Sequence, residues 1–232
     1  LHLSLRRQRQ MCIRDRSKTM QFSTKTPIQE GNIKIDYNSN ILSLGSCFAV
    51  NMGEKFDYFK LRNTINPFGI LFNPLALEKI IRYACENKTF SDADVFYHNE
   101  LWQCYDAHSD LSSPDKDQLL LNLNTACSTL REALLSATHI TITLGTAWVY
   151  RLTETTELVA NCHKVPQKLF TKELLSVNTI FDSLTNILSL IEKLNSNATV
   201  IFTVSPVRHI KDGFTENQWS KANLISALHL SL

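Results

Sequence analysis

The chain has 232 residues, 44% hydrophobic and 20% charged, which suits one soluble domain of ordinary size with a proper core. No run of about 18 apolar residues occurs, so a membrane-spanning helix is excluded. The formal charge of +2 misleads: residues 1–16 hold five arginines and one acid, and removing them takes the totals of 24 basic and 22 acidic residues to 19 and 21. Nothing in that balance invites nucleic acid or an anionic membrane as partner.

Residues 1–19 lack the apolar stretch and cleavage site of a secretory signal. The string Met11-Cys12-Ile13-Arg14-Asp15-Arg16 looks like a translated sequencing adaptor, and residues 229–232 look like its opposite end. The expectation is a non-native or disordered tail over 1–19, one partial domain over 20–228 and a non-native end over 229–232. The alternative for the tail is a natural basic segment of targeting character. Cys47, Cys85, Cys104, Cys127 and Cys162 are scattered and follow no signal, which fits a reducing compartment, so a cytoplasmic location is expected.

In chain order, Ile41 to Leu44 is a short apolar run ending at Gly45, and Ala49, Met52 and Phe56 follow at helical spacing. This predicts strand, tight turn and helix. Residues 66–69 (Asn-Pro-Phe-Gly) form a loop, and Asn73 caps a helix that opens on Pro74 and buries Leu77, Ile80, Ile81 and Ala84. The aromatic stretch 91–114 is a small hairpin or a structured loop. A helix of roughly 20 residues follows Pro114, with Leu119, Leu123, Ala126, Leu130 and Leu134 as its stripe. His139 to Gly145 reads as a second core strand, and 146–170 as mostly loop with a hairpin near Val149 to Val159. A helix spans about 173–194, Ala198 to Val204 is a third strand, and a last helix starts near Thr215 or Asn217.

Buried strands alternating with longer helices predict a parallel sheet covered on both faces, with ligands beyond the carboxyl ends of the strands. Ser46, Thr146, and Ser205 with His209 leave the three strands at that rim. Ser46 sits where helix amides can receive negative charge, and equally where an N-cap sits. Cys47 is the rival nucleophile, since a helix N-terminus stabilises a thiolate. Asn66, Gly69, Gly145 and Thr146 are candidates for oxyanion or substrate contacts, or are ordinary turn residues. His209 is the first candidate base, with Asp212 near it, and His163 the second. His139 reads as structural. His98, Cys104 and His108 match no zinc spacing, no nucleotide-binding glycine pattern occurs, and no cofactor or metal is expected.

The strings around Leu44-Gly45-Ser46-Cys47-Phe48-Ala49, Asn66 to Pro74, Leu144 to Tyr150, Asn161 to Lys164, Thr203 to His209 and Asn217 to Ala222 resemble the GSCFA domain family. That family in turn is similar to the SGNH or GDSL-type esterases. The resemblance implies a flavodoxin-like three-layer α/β/α sandwich with a mostly parallel sheet, incomplete at its C-terminus. It places Ser46 as nucleophile and Gly69 as an oxyanion donor. The third-block Gly-x-Asn-Asp pattern is not kept at Gly145, and no Asp-x-x-His string follows residue 212. The expected activity is serine hydrolysis of an acyl or acetyl ester, on a small-molecule or saccharide substrate. The alternatives are a non-catalytic glycan or peptide binding domain and an acyl transferase using Cys47.

Overall fold

The structure is a computed structural model that describes residues 31, 33–208 and 213–231, and every element below lies in the unit Ile35–Leu232. In chain order these are β1 (Asn40–Gly45), α1 (Cys47–Tyr58), β2 (Arg62–Ile65), α2 (Pro74–Glu86), the hairpin β3 (Phe96–His98) and β4 (Leu101–Gln103), α3 (Lys116–Ser136), β5 (His139–Leu144), β6 (Trp148–Leu152), β7 (Leu158–Val159), β8 (Phe170–Leu174), α4 (Val177–Leu194), β9 (Thr199–Val204) and α5 (Phe214–Leu230). The central sheet runs β2-β1-β5-β9, and all its pairings are parallel. A hairpin and a three-stranded antiparallel sheet, β7-β6-β8, stand apart from it. The chain is therefore an α/β fold with a parallel central sheet and flanking helices.

The period of two along each strand divides the sheet into two chemically different faces. Leu42, Leu44, Ile140, Ile142 and Leu144 are completely buried on one face, with Val200, Phe202 and Val204 beside them. Leu77 and Ile81 of α2, Leu123 and Leu130 of α3, and Leu184 and Ile187 of α4 join this same core. Each such side chain contributes roughly 1.5–3 kcal/mol by leaving water. The opposite face carries Ile41, Ser43, Thr141, Thr143 and Thr203. There α1 packs at close range, because Gly53 lies against the Ile65 and Asn63 side chains where a Cβ has no room. Hydroxyls on this face satisfy one another: Thr141 donates to Ser43 at 3.1 Å and Thr203 to Thr143 at 2.9 Å.

Local chemistry fixes the helix ends. Asn73 Oδ1 accepts from Ala76 N at 2.8 Å, Pro74 needs no partner in the first turn, and Asn87 ends α2 in the left-handed region at φ 54°. Asp115 caps α3 through bonds from Asp117 N and Gln118 N, and Leu119, Leu123, Ala126, Leu130 and Leu134 are buried as expected. Two elements differ from the sequence reading. β2 forms where no strand was predicted, its polar Arg62-Asn63-Thr64 suiting an edge position. Residues 170–174 are the strand β8, so α4 begins only at Val177, where Ser176 Oγ accepts from Thr179 N at 3.1 Å.

Candidate functional site

The carboxyl ends of β1 and β5 are bound together by backbone chemistry. Ser46 N donates to Thr143 O at 3.0 Å, and Gly45 turns away from β1 at φ 119°, where a Cβ would strike the Thr143 backbone. Asn66 holds this turn from the side: its Oδ1 accepts from Gly45 N at 2.8 Å, and its Nδ2 donates to Gly45 O at 3.2 Å. Asn66 is itself left-handed at φ 40°, a conformation that asparagine tolerates better than most side chains.

Within this frame Ser46 is 0% exposed, and its Oγ accepts from Phe48 N at 3.4 Å as the N-cap of α1. Cys47, the first residue of α1, is a free and partly exposed thiol at the positive end of the helix. Lys221 of α5 reaches the same rim, where its Nζ donates to Gly145 O at 2.6 Å. Burial pushes the Lys221 pKa down, and Cys47 lies close enough to pull it back up. The neighbouring Ser220 is buried, accepts from Ala147 N at 2.7 Å and shares a hydrogen bond with Thr146 Oγ1 at 3.1 Å. Through these bonds and Trp148 Nε1 donating to Glu216 O at 3.2 Å, α5 is anchored across the end of β5.

The amides expected to face a substrate are engaged within the protein. Gly69 N donates to Asn66 O at 2.7 Å, while Gly145 N and Thr146 N both donate to Phe72 O, at 2.7 and 3.0 Å. Gly69 adopts φ 76° and packs on His108, so its missing side chain serves a close approach. His163 is buried, bonded to the Cys104 carbonyl and to Ser109, the residue after the His108 on which Gly69 packs. His209 and Asp212 lie outside the described residues. His139 is buried in β5, as a structural histidine would be. Among the described residues, no helix is long and apolar enough to cross a membrane, and no three His, Cys, Asp or Glu side chains gather into a metal-holding group. Lys221 was missed as a site residue because nothing local marks it. Its role depends on a contact between residues 76 positions apart.

The family model of the GSCFA family matches residues 40–232. No curated protein and no solved structure matches. The match covers residues 40–232, which overturns the expectation of a C-terminally truncated fragment. The family matched is GSCFA and no SGNH or GDSL-type esterase is returned. The likeness to those esterases therefore lacks support, and the hydrolase and esterase assignments drawn from it are set aside.

Proposed function

The chain belongs to the GSCFA family, and we propose that its rim is a thiol-based acyl-transfer site in which Cys47 is the nucleophile. The observation that carries this reading is that Cys47 opens α1 as a partly exposed free thiol on the rim that Lys221 reaches, while the adjacent Ser46 is fully buried and occupied as a helix cap. A thiolate formed at Cys47 sits at the positive end of α1, on the rim where the Lys221 ammonium is bound to Gly145 O. It attacks the carbonyl carbon of an acyl donor, the donor's leaving group departs, and a thioester remains on Cys47. An acceptor hydroxyl or amine then takes the acyl group and returns the sulfur as thiolate. The donor class that fits the expected chemistry is a small-molecule or saccharide ester. The finer architecture that goes with this reading is a flavodoxin-like three-layer sandwich, supported by α1 on one sheet face and α2, α3 and α4 on the other.

Labelling of the full chain separates the two adjacent nucleophiles. Iodoacetamide should alkylate Cys47 faster than Cys85, whose thiol burial pushes up, and Cys47→Ser should abolish that adduct. Ser46→Ala should leave it in place. A fluorophosphonate adduct on Ser46, lost in Ser46→Ala and kept in Cys47→Ser, would replace this reading with serine chemistry. Saturable ester or glycan binding without any adduct would point instead to a binding domain.

A further inference from the structure

A second serine stands against a histidine elsewhere in the fold. The loop after β7 is pinned to the segment before α3, because Ala160 N and Asn161 N both donate to Tyr105 O, at 2.9 and 3.2 Å. Asn161 Oδ1 accepts from His163 N at 2.9 Å, and His163 and Lys164 follow in the left-handed region at φ 48° and 60°. That unusual backbone drives the imidazole inward, where it is 5% exposed and meets the Phe96 ring edge-on with centroids 5.9 Å apart.

The donors and acceptors around this ring leave one consistent assignment. His163 Nε2 lies 2.7 Å from Cys104 O, a carbonyl that can only accept, so Nε2 carries the proton. Burial pushes the imidazole pKa down against the opposing pull of the Cys104 and Ala107 backbone, His108 and His98 lower it further, and the neutral ring presents the Nδ1 lone pair to Ser109. Ser109 Oγ stands 3.3 Å from Nδ1 and accepts from Asn161 Nδ2 at 3.1 Å. Its hydroxyl proton therefore points at Nδ1. Ser109 itself is exposed, on the surface turn before α3. The order is nucleophile, base and a third group that orients the base, with the Cys104 carbonyl in the last position. Separations somewhat over 3.2 Å are usual for such pairs without substrate.

We propose that Ser109 and His163 form a second nucleophilic site, distinct from the Cys47 rim, that accepts the acyl group of an activated ester. Ser109 Oγ attacks the carbonyl carbon while its proton passes to His163 Nδ1. The bond from that carbon to the leaving oxygen breaks, and the proton passes from Nδ1 to the departing alkoxide, giving acyl-Ser109 and an alcohol. Asn161 and Cys104 are positioning residues. The proposal does not depend on Cys47.

The test is acylation of the full chain by p-nitrophenyl acetate, with adducts mapped by peptide mass spectrometry. Ser109 should be acetylated at least ten times faster than Ser128, an exposed serine on α3 whose hydroxyl bonds only its own helix. Ser109→Ala should remove that adduct and leave the reaction at Cys47 intact. His163→Asn, which keeps a residue suited to the left-handed backbone, should slow Ser109 to the Ser128 rate. Equal rates at Ser109 and Ser128, or an unchanged rate in His163→Asn, would overturn the proposal. Because that variant can fail to fold, ¹⁵N NMR of the unmodified chain supplies a second reading. A neutral Nε2–H tautomer of His163 is expected, and an Nδ1–H tautomer would refute the dyad.

Discussion

Asn66→Ala removes the side chain that holds the Gly45 turn. Two hydrogen bonds disappear, from Gly45 N at 2.8 Å and to Gly45 O at 3.2 Å. The carbonyl keeps a second partner in Leu71 N at 3.2 Å, but the buried Gly45 amide loses its bond to Asn66 Oδ1. An orphaned buried donor costs about 1–3 kcal/mol. Alanine held at the Asn66 backbone conformation, φ 40°, adds roughly 1 kcal/mol of strain. The sum is about 3 kcal/mol, or a fall of roughly 6–12 °C in Tm for a domain of this size. Urea unfolding with an unchanged slope is the assay. Asn66→Gly separates the terms, since it relieves the backbone strain while still losing both bonds, and should recover about 1 kcal/mol. A loss below about 0.5 kcal/mol in Asn66→Ala would refute the claim that this side chain holds the rim.

Three further outcomes follow from the same geometry. Gly45→Ala forces a Cβ onto the Thr143 backbone at φ 119°, so Tm should drop by at least as much as in Asn66→Ala. An unchanged Tm would contradict the close packing of β1 against β5. Lys221→Met removes the ammonium that α5 brings to the rim, so alkylation of Cys47 should slow, read by timed mass spectrometry, and an unchanged rate would contradict the part given to Lys221. Burial holds the His163 pKa below its ordinary 6.5, with His108 and His98 adding to the effect and Asp110 paired to His108. In the window below pH 6.5 and above the lowered folded value, the unfolded chain binds a proton that the folded one does not. His163's contribution to stability is therefore full above 6.5 and falls with pH through that window, by at most about 1.4 kcal/mol per pH unit. Urea titrations from pH 7.5 to 5 should show a shallower fall in His163→Asn.

The parallel sheet was legible because its inner strands are short apolar runs and its helices are marked in the sequence, by Asn73-Pro74 before α2 and by the Leu119 to Leu134 stripe of α3. β2 escaped because an edge strand buries little and needs no apolar alternation. β8 escaped because Phe170, Lys172 and Leu174 share one face with a lysine between two apolar residues, and Lys172 spends its charge over the Trp148 ring at 4.5 Å. At the rim, the Ser46-Cys47 corner could be read from a strand ending in glycine, but the burial that distinguishes the two residues could not. The engagement of the Gly145 and Thr146 amides depends on the Phe72 carbonyl, and the positive charge near Cys47 depends on α5. Both are long-range backbone or helix contacts with no motif of their own.

The peptide that carries the acyl group after brief exposure of the full chain to a short-chain acyl thioester tests the central claim most directly. The group is expected on Cys47, absent in Cys47→Ser, retained in Ser46→Ala and discharged when an acceptor amine is added. Acylation of Ser46 instead, undiminished in Cys47→Ser, would contradict it.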